Sequence, residues 1–269
     1  MRGASIAAVA ALALFLTGCG RTAQDPNEIR WPASDSDPGP PQSEVPLATP
    51  RFPFGPIRIW GADGALSNGE AELAFFDAAG RPVAFADKEL YNDSVPIARS
   101  HARIDSIDVQ AIAFVPAQKD SPDTTAWVLV LVEMTNRQDH RARAELRVAV
   151  RTRGDSARYV RRAGRVLRDG RVLALYDDAE GPVLLDPRTP AAPAIARGGS
   201  AEVGEATAPD HFAAGAHYAF QLEPGRSVWL RFALAPPGGV RLGEEPTFPR
   251  LNRGKLFAQT LEAWGARAP

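Results

Sequence analysis

The chain of 269 residues sets 31 Lys and Arg against 32 Asp and Glu, so its charges nearly cancel and give no general case for nucleic-acid binding. Its single cysteine, Cys19, excludes an internal disulfide and any zinc site built from several thiolates. The length is enough to bury the core of one large domain or two small ones.

Arg2 precedes an uncharged apolar run from Ile6 to Leu16, and small residues follow, which is the layout of an export signal. Eleven apolar positions fall short of the roughly 20 that a helix needs to cross a bilayer core, so residues 1–18 read as a cleaved leader. Leu16-Thr17-Gly18-Cys19 resembles the lipobox of bacterial lipoproteins. The resemblance implies cleavage before Cys19, lipidation of its sulfur and amine, and a membrane partner reached through that anchor. Gly20 in place of an aspartate implies sorting to the outer membrane of a Gram-negative cell, with the body in the periplasm. Each buried acyl CH₂ adds about 0.8 kcal/mol, and one chain alone holds only marginally, so a multiply acylated cysteine anchors stably.

Residues 19–56 are dense in Pro, Ser and Asp, as in Asp35-Ser36-Asp37-Pro38-Gly39-Pro40-Pro41, and read as a disordered tether. Trp31, Phe52 and Phe54 interrupt it, the last two close enough to the following domain to be held by it.

Residues 57–249 change to short apolar runs between turn residues, the pattern of a large antiparallel β-sandwich. Ala71 to Phe76 and Val83 to Phe85 flank a turn at Asp77 to Pro82, and Ile104 to Val115 reads as one strand. Trp127 to Met134 is almost continuously apolar, as a strand covered on both faces must be, and Asn136 to His140 makes its turn. Ala144, Leu146, Val148 and Val150 alternate with Arg143, Glu145, Arg147 and Arg151, so that strand has one buried and one charged face. Asp169-Gly170 predicts a tight type I′ hairpin. Pro187 to His211 reads as a long surface loop. His217 to Leu222 and Val228 to Leu234 flank Glu223-Pro224-Gly225-Arg226 and read as a hairpin whose Tyr218, Phe220, Leu222 and Val228, Leu230, Phe232, Leu234 all face the core. Residues 250–269 contain one helix, from Asn252 to Trp264, with Asn252 as N-cap, Gly265 as stop and Phe257, Leu261 and Trp264 on one stripe.

The order of these pieces resembles the N-terminal β-sandwich domain of bacterial six-hairpin glycosidases. The motifs are Trp60 to Gly69 (W-G-x-D-G-x-L-S-N-G), the strand ending at Asn136, Leu222 to Leu234, and Phe257 to Trp264. In that family the sandwich is joined by a helix to an (α/α)6 barrel that holds the catalytic carboxylates. The resemblance therefore implies a non-catalytic module involved in carbohydrate metabolism, with no catalytic residue to assign here. It also implies a partner helical domain for the C-terminal helix. The other expectation is a stand-alone envelope lipoprotein that binds a glycan or a protein.

Candidate chemistry is sparse. Trp229 and Arg231, with His217 and Gln221 expected on the same outward face, form a candidate glycan-binding group, because an indole beside polar side chains suits a sugar ring. The carboxylate pairs Asp105/Asp108 and Asp177/Asp178 are better explained as turn or strand-edge residues than as a glycosidic acid and base. His211, His217 and Asp210 show no convergence of three or four ligands, so no metal or other cofactor is expected. The arginine-rich stretch from Arg137 to Arg171 either meets acidic polysaccharide or lipid headgroups or forms the solvent face of alternating strands.

Overall fold

The computed structural model describes residue 29 and residues 44–48, 53–58, 65–68, 70–92, 95–116, 127–152, 157–162, 164–176, 180–184, 203–206, 212–245 and 252–265. Seventeen strands and one helix occupy them: β1 Glu44–Ala48, β2 Pro53–Arg58, β3 Ala65–Ser67, β4 Ala71–Phe76, β5 Ala86–Asn92, β6 Val95–Ile104, β7 Ile107–Phe114, β8 Val128–Asn136, β9 Ala142–Thr152, β10 Ala157–Arg162, β11 Arg165–Arg168, β12 Arg171–Tyr176, β13 Glu180–Leu184, β14 Val203–Ala206, β15 Phe212–Leu222, β16 Ser227–Leu234, β17 Val240–Arg241, and helix α1 Arg253–Gly265. The fold is all-β, as the pattern predicts. A seven-stranded antiparallel sheet, β1-β2-β3-β4-β9-β15-β13, packs on a ten-stranded one, β14-β10-β11-β12-β16-β8-β7-β6-β5 with β17 added beside β12.

Between the sheets lies the larger core, to which β9 contributes Ala144, Leu146, Val148 and Val150 and β8 contributes Val128, Val130, Val132 and Met134. At its centre Phe232 meets Phe75 and Tyr218 edge-on, each with ring centroids 5.7 Å apart. The remaining apolar residues of β8, Leu129 and Leu131, belong to a second core under α1, together with Ile112, Phe114, Leu256 and Phe257. β8 is therefore covered on both faces, which its sequence requires. Helix α1 begins where Asn252 accepts a hydrogen bond from the Lys255 amide at 2.8 Å, the expected N-cap. Phe257 sits edge-on to Phe114 and Tyr91, and Leu261 and Trp264 pack against the same cluster. Of the stripe, Phe257 is buried against the sandwich and Leu261 and Trp264 are half-buried there. Among the described residues no helix is long and apolar enough to cross a membrane.

Several expectations are corrected. The stretch read as a tether, 19–56, contains β1 and the start of β2, whose Pro46, Pro53 and Pro56 disguised them; proline is tolerated near a sheet edge, where ladder donors are not all needed. Ile104 to Val115 is the end of β6, a turn at Asp105-Ser106 and β7, with Asp105 at φ 52° supplying the positive dihedral that glycine usually provides. β14 falls inside the stretch read as a loop. The Asp169-Gly170 hairpin forms as expected, both residues having positive φ.

The largest correction concerns Glu223 to Arg226. β15 pairs with β9 and β13, and β16 pairs with β8 and β12, so this turn carries the chain between sheets instead of closing a hairpin. β8 and β9 are joined across the sheets in the same way. Asn136, fully buried, clasps the two crossings: its Nδ2 donates to Leu222 O at 2.9 Å and His140 O at 2.8 Å, and its Oδ1 accepts from the Gln138 amide at 2.9 Å. Its backbone accepts from the Gly225 amide, where φ is 68°, and donates to Arg226 O. A second clasp lies at the far end of β16, where Asn68 Nδ2 donates to Ala235 O at 2.7 Å and Glu70 accepts from the Gly238 amide and from Arg168.

Candidate functional site

Away from the helix, the outer face of the ten-stranded sheet turns polar. The hairpin β6–β7 aligns with β8 and β16 so that His101, Gln110, Glu133 and Trp229 lie side by side on four neighbouring strands. The next row toward the strand ends is Arg103, Asp108, Thr135 and Ser227. Strands are spaced about 4.8 Å apart, so each row runs about 14 Å across the sheet. The members of the first row are all half-buried, and its Trp229 end lies against Arg253 in the first turn of α1.

Glu133 is the central group. Burial pushes its carboxyl above the ordinary carboxylate range; hydrogen bonds from Ser227 and Trp229 and the charges of Arg253 and Arg137 oppose that rise without cancelling it. Arg253, from α1, stacks its guanidinium 4.6 Å from the centroid of the Trp229 ring, which fixes the indole. Ser227 shares a 2.8 Å hydrogen bond with Thr135. Asp108 is engaged by Arg137 at 3.4 Å and Arg103 at 3.9 Å.

Of the four residues grouped from sequence, Trp229 and Arg231 lie on this outer face, Arg231 one row nearer the helix and opposite Leu131. His217 and Gln221 stand on β15, in the other sheet, because the hairpin that was to unite them is an inter-sheet crossing. His217 instead joins Glu145, to which its Nε2 lies 2.9 Å, with Arg143 at 3.0 Å and Arg147 at 3.1 Å completing the cluster. Burial would raise the Glu145 pKa, but the His217 hydrogen bond and charge, with those of the two arginines, outweigh it and hold the carboxyl below its ordinary value.

Glu133, His101, Gln110 and Arg253 were not singled out by sequence reasoning. A lone charge in the apolar run Trp127 to Met134 was the available signal for Glu133, and the others depended on recognising the β6–β7 hairpin and the docking of α1. The arginine-rich stretch is mostly neutralised where it is described: Arg137 pairs with Asp108, Arg141 with Glu223, Arg143 and Arg147 with Glu145, Arg165 with Glu245 and Arg168 with Glu70. Arg171 donates to Gly239 O. Asp105 is an exposed turn residue, and Asp177, Asp178, Asp210, His211 and Cys19 lie outside the described residues. Among the described residues no group of three or more His, Cys, Asp or Glu converges as metal ligands.

No protein-family model matches the chain, and no curated protein matches it. The lipobox and glycosidase-module resemblances rest on the motifs quoted above.

Proposed function

We propose that the chain is a lipid-anchored lipoprotein of the outer membrane whose sandwich, on the periplasmic side, binds an envelope glycan without acting on it. The observation that carries the glycan reading is the row His101–Gln110–Glu133–Trp229, hydrogen-bonding side chains in register across four strands and ending in an aromatic ring. Such a row matches the alternation of hydroxyls and an apolar ring face along a sugar chain. The two carboxylates of these rows, Glu133 and Asp108, are engaged within the protein, which favours binding over general acid–base work. The second reading, a module of a six-hairpin glycosidase, is favoured by the helix α1 that packs on the sandwich at the end of the described residues. An open frame continuing past codon 269 into a helical barrel would select it.

The test uses the soluble Cys19→Ala protein and peptidoglycan sacculi as the glycan probe. Retention on the sacculi should fall at least severalfold in a Gln110→Ala, Trp229→Ala double variant that keeps its β-sheet circular dichroism. Absence of retention, or undiminished retention by the double variant, rejects the glycan reading. The same Cys19→Ala change should move the protein from the membrane fraction to the soluble periplasm, and unchanged partition rejects the anchor.

A further inference from the structure

Ile29 belongs to the stretch read as a tether, yet it is half-buried and packs against the apolar cluster that α1 forms with the outer face of the ten-stranded sheet. It stands fifteen residues before β1, the first strand of the sandwich, and only ten after Cys19. We infer that Ile29 latches the tether to the helix-bearing face, so that this side of the sandwich is turned to the bilayer and the outer face of the seven-stranded sheet is turned away from it. The inference rests on the lipid anchor at Cys19 and is independent of the glycan reading.

The decision comes from lengths. Ten residues, even fully extended, span at most about 36 Å. A compact body running from β1 to the end of α1 has a radius of gyration of about 17 Å, hence a width near 45 Å and a half-girth of roughly 70 Å. With Ile29 seated on the cluster, the chain cannot pass around the body to place Cys19 beneath the opposite sheet. If Ile29 were free, the anchored length would run on to Glu44, and 25 residues could reach about 80 Å or more, enough for any orientation. One apolar contact therefore converts a permissive tether into an oriented one. Its consequence for partners is that the His217–Glu145 face is the one accessible from the periplasm, and that a ligand of the Trp229 row must enter between body and bilayer.

The experiment uses the lipidated full chain in phosphatidylethanolamine–phosphatidylglycerol vesicles carrying a headgroup-linked energy acceptor. Donor fluorophores are placed singly on the exposed positions Lys255→Cys, on α1, and Gln221→Cys, on β15; the native thiol is consumed by lipid. Energy transfer should be severalfold stronger from position 255 than from position 221, and Ile29→Asp should reduce that difference to near equality while the protein still floats with the vesicles. Equal transfer from both positions in floating wild-type protein overturns the latch. A difference that survives Ile29→Asp overturns the assignment of the latch to Ile29. Protein left in the supernatant overturns the anchor, and the orientation with it.

Discussion

The two sheets present outer faces built on opposite principles, and each carries one informative carboxylate. Over the ten-stranded sheet, α1 covers Leu129, Leu131, Ile112 and Phe114, and burial at the edge of that cover raises the Glu133 carboxyl above the ordinary carboxylate range. Over the seven-stranded sheet, Glu145 is only 12% exposed but sits among His217, Arg143 and Arg147, and its surroundings favour ionisation. Burial acts on both in the same direction, so the number and closeness of cationic partners decides the sign. The first face is held mainly by apolar contact and should respond little to salt, its carboxyl losing stability as pH rises; the second is held by charge and should weaken with salt and with acid.

The largest effect should come from removing apolar cover. Phe257→Ala should destabilise by about 3–5 kcal/mol in urea titration, as deletions of buried aromatics do. A cost below about 1 kcal/mol would mean that α1 contributes little to the sandwich, and would break the contrast. Glu145→Gln should come next, at about 1–3 kcal/mol near neutral pH, since a largely buried carboxylate accepts charged hydrogen bonds there. Its pKa lies below the ordinary 4.5 in the folded state, so its stabilisation is present above that value and lost as pH falls through the folded pKa. Wild type and Glu145→Gln should therefore converge in stability in strong acid, and parallel pH profiles would refute the assignment.

Glu133→Gln should have a smaller effect of opposite sign. A raised folded pKa means stability that is full below the ordinary 4.5 and declines as pH rises through the folded value, so the amide variant should be the more stable protein near neutral pH and lose that advantage in acid. A destabilised Glu133→Gln near neutral pH would show that Arg253 and Arg137 dominate the site after all. Smallest of all, Arg143→Ala should cost no more than about 0.5 kcal/mol, because its side chain is 61% exposed and water screens the pair. Thermal melts should show that small difference at low salt and lose it at high salt.

Much of the fold was legible because local pattern and tertiary environment agree in it. The alternation in β9, the unbroken apolar run of β8, Asp169-Gly170 and the Asn252 cap each report a local requirement that packing leaves unchanged. The crossing at Glu223 to Arg226 was misread for a definite reason. Two strands facing each other across a core bury the same residues as two strands paired in one sheet, so the inward positions Tyr218, Leu222, Leu230 and Phe232 are right under either topology. The outward positions are what distinguish them, and those carry no pattern that says which sheet they belong to. The candidate site inherited the error: His217 and Gln221 were assigned to the face of Trp229 only because the pairing was assumed. Ile29 illustrates the complementary limit, since one isoleucine among prolines and polar residues has no periodicity to mark what it packs against.

The clasp at Asn136 also governs when this protein can fold. Its side chain ends β8 but donates to Leu222, 86 residues later in the chain, and its backbone meets Gly225 and Arg226. Neither crossing can be completed until β15 and β16 have been delivered, so the early strands wait with their apolar faces open while the rest of the chain arrives. Pairings this distant in sequence belong to slow folders, in the range of milliseconds to seconds. That order places closure of the sandwich after the residues beyond 226 have been made, and leaves the apolar faces of the early strands uncovered until then.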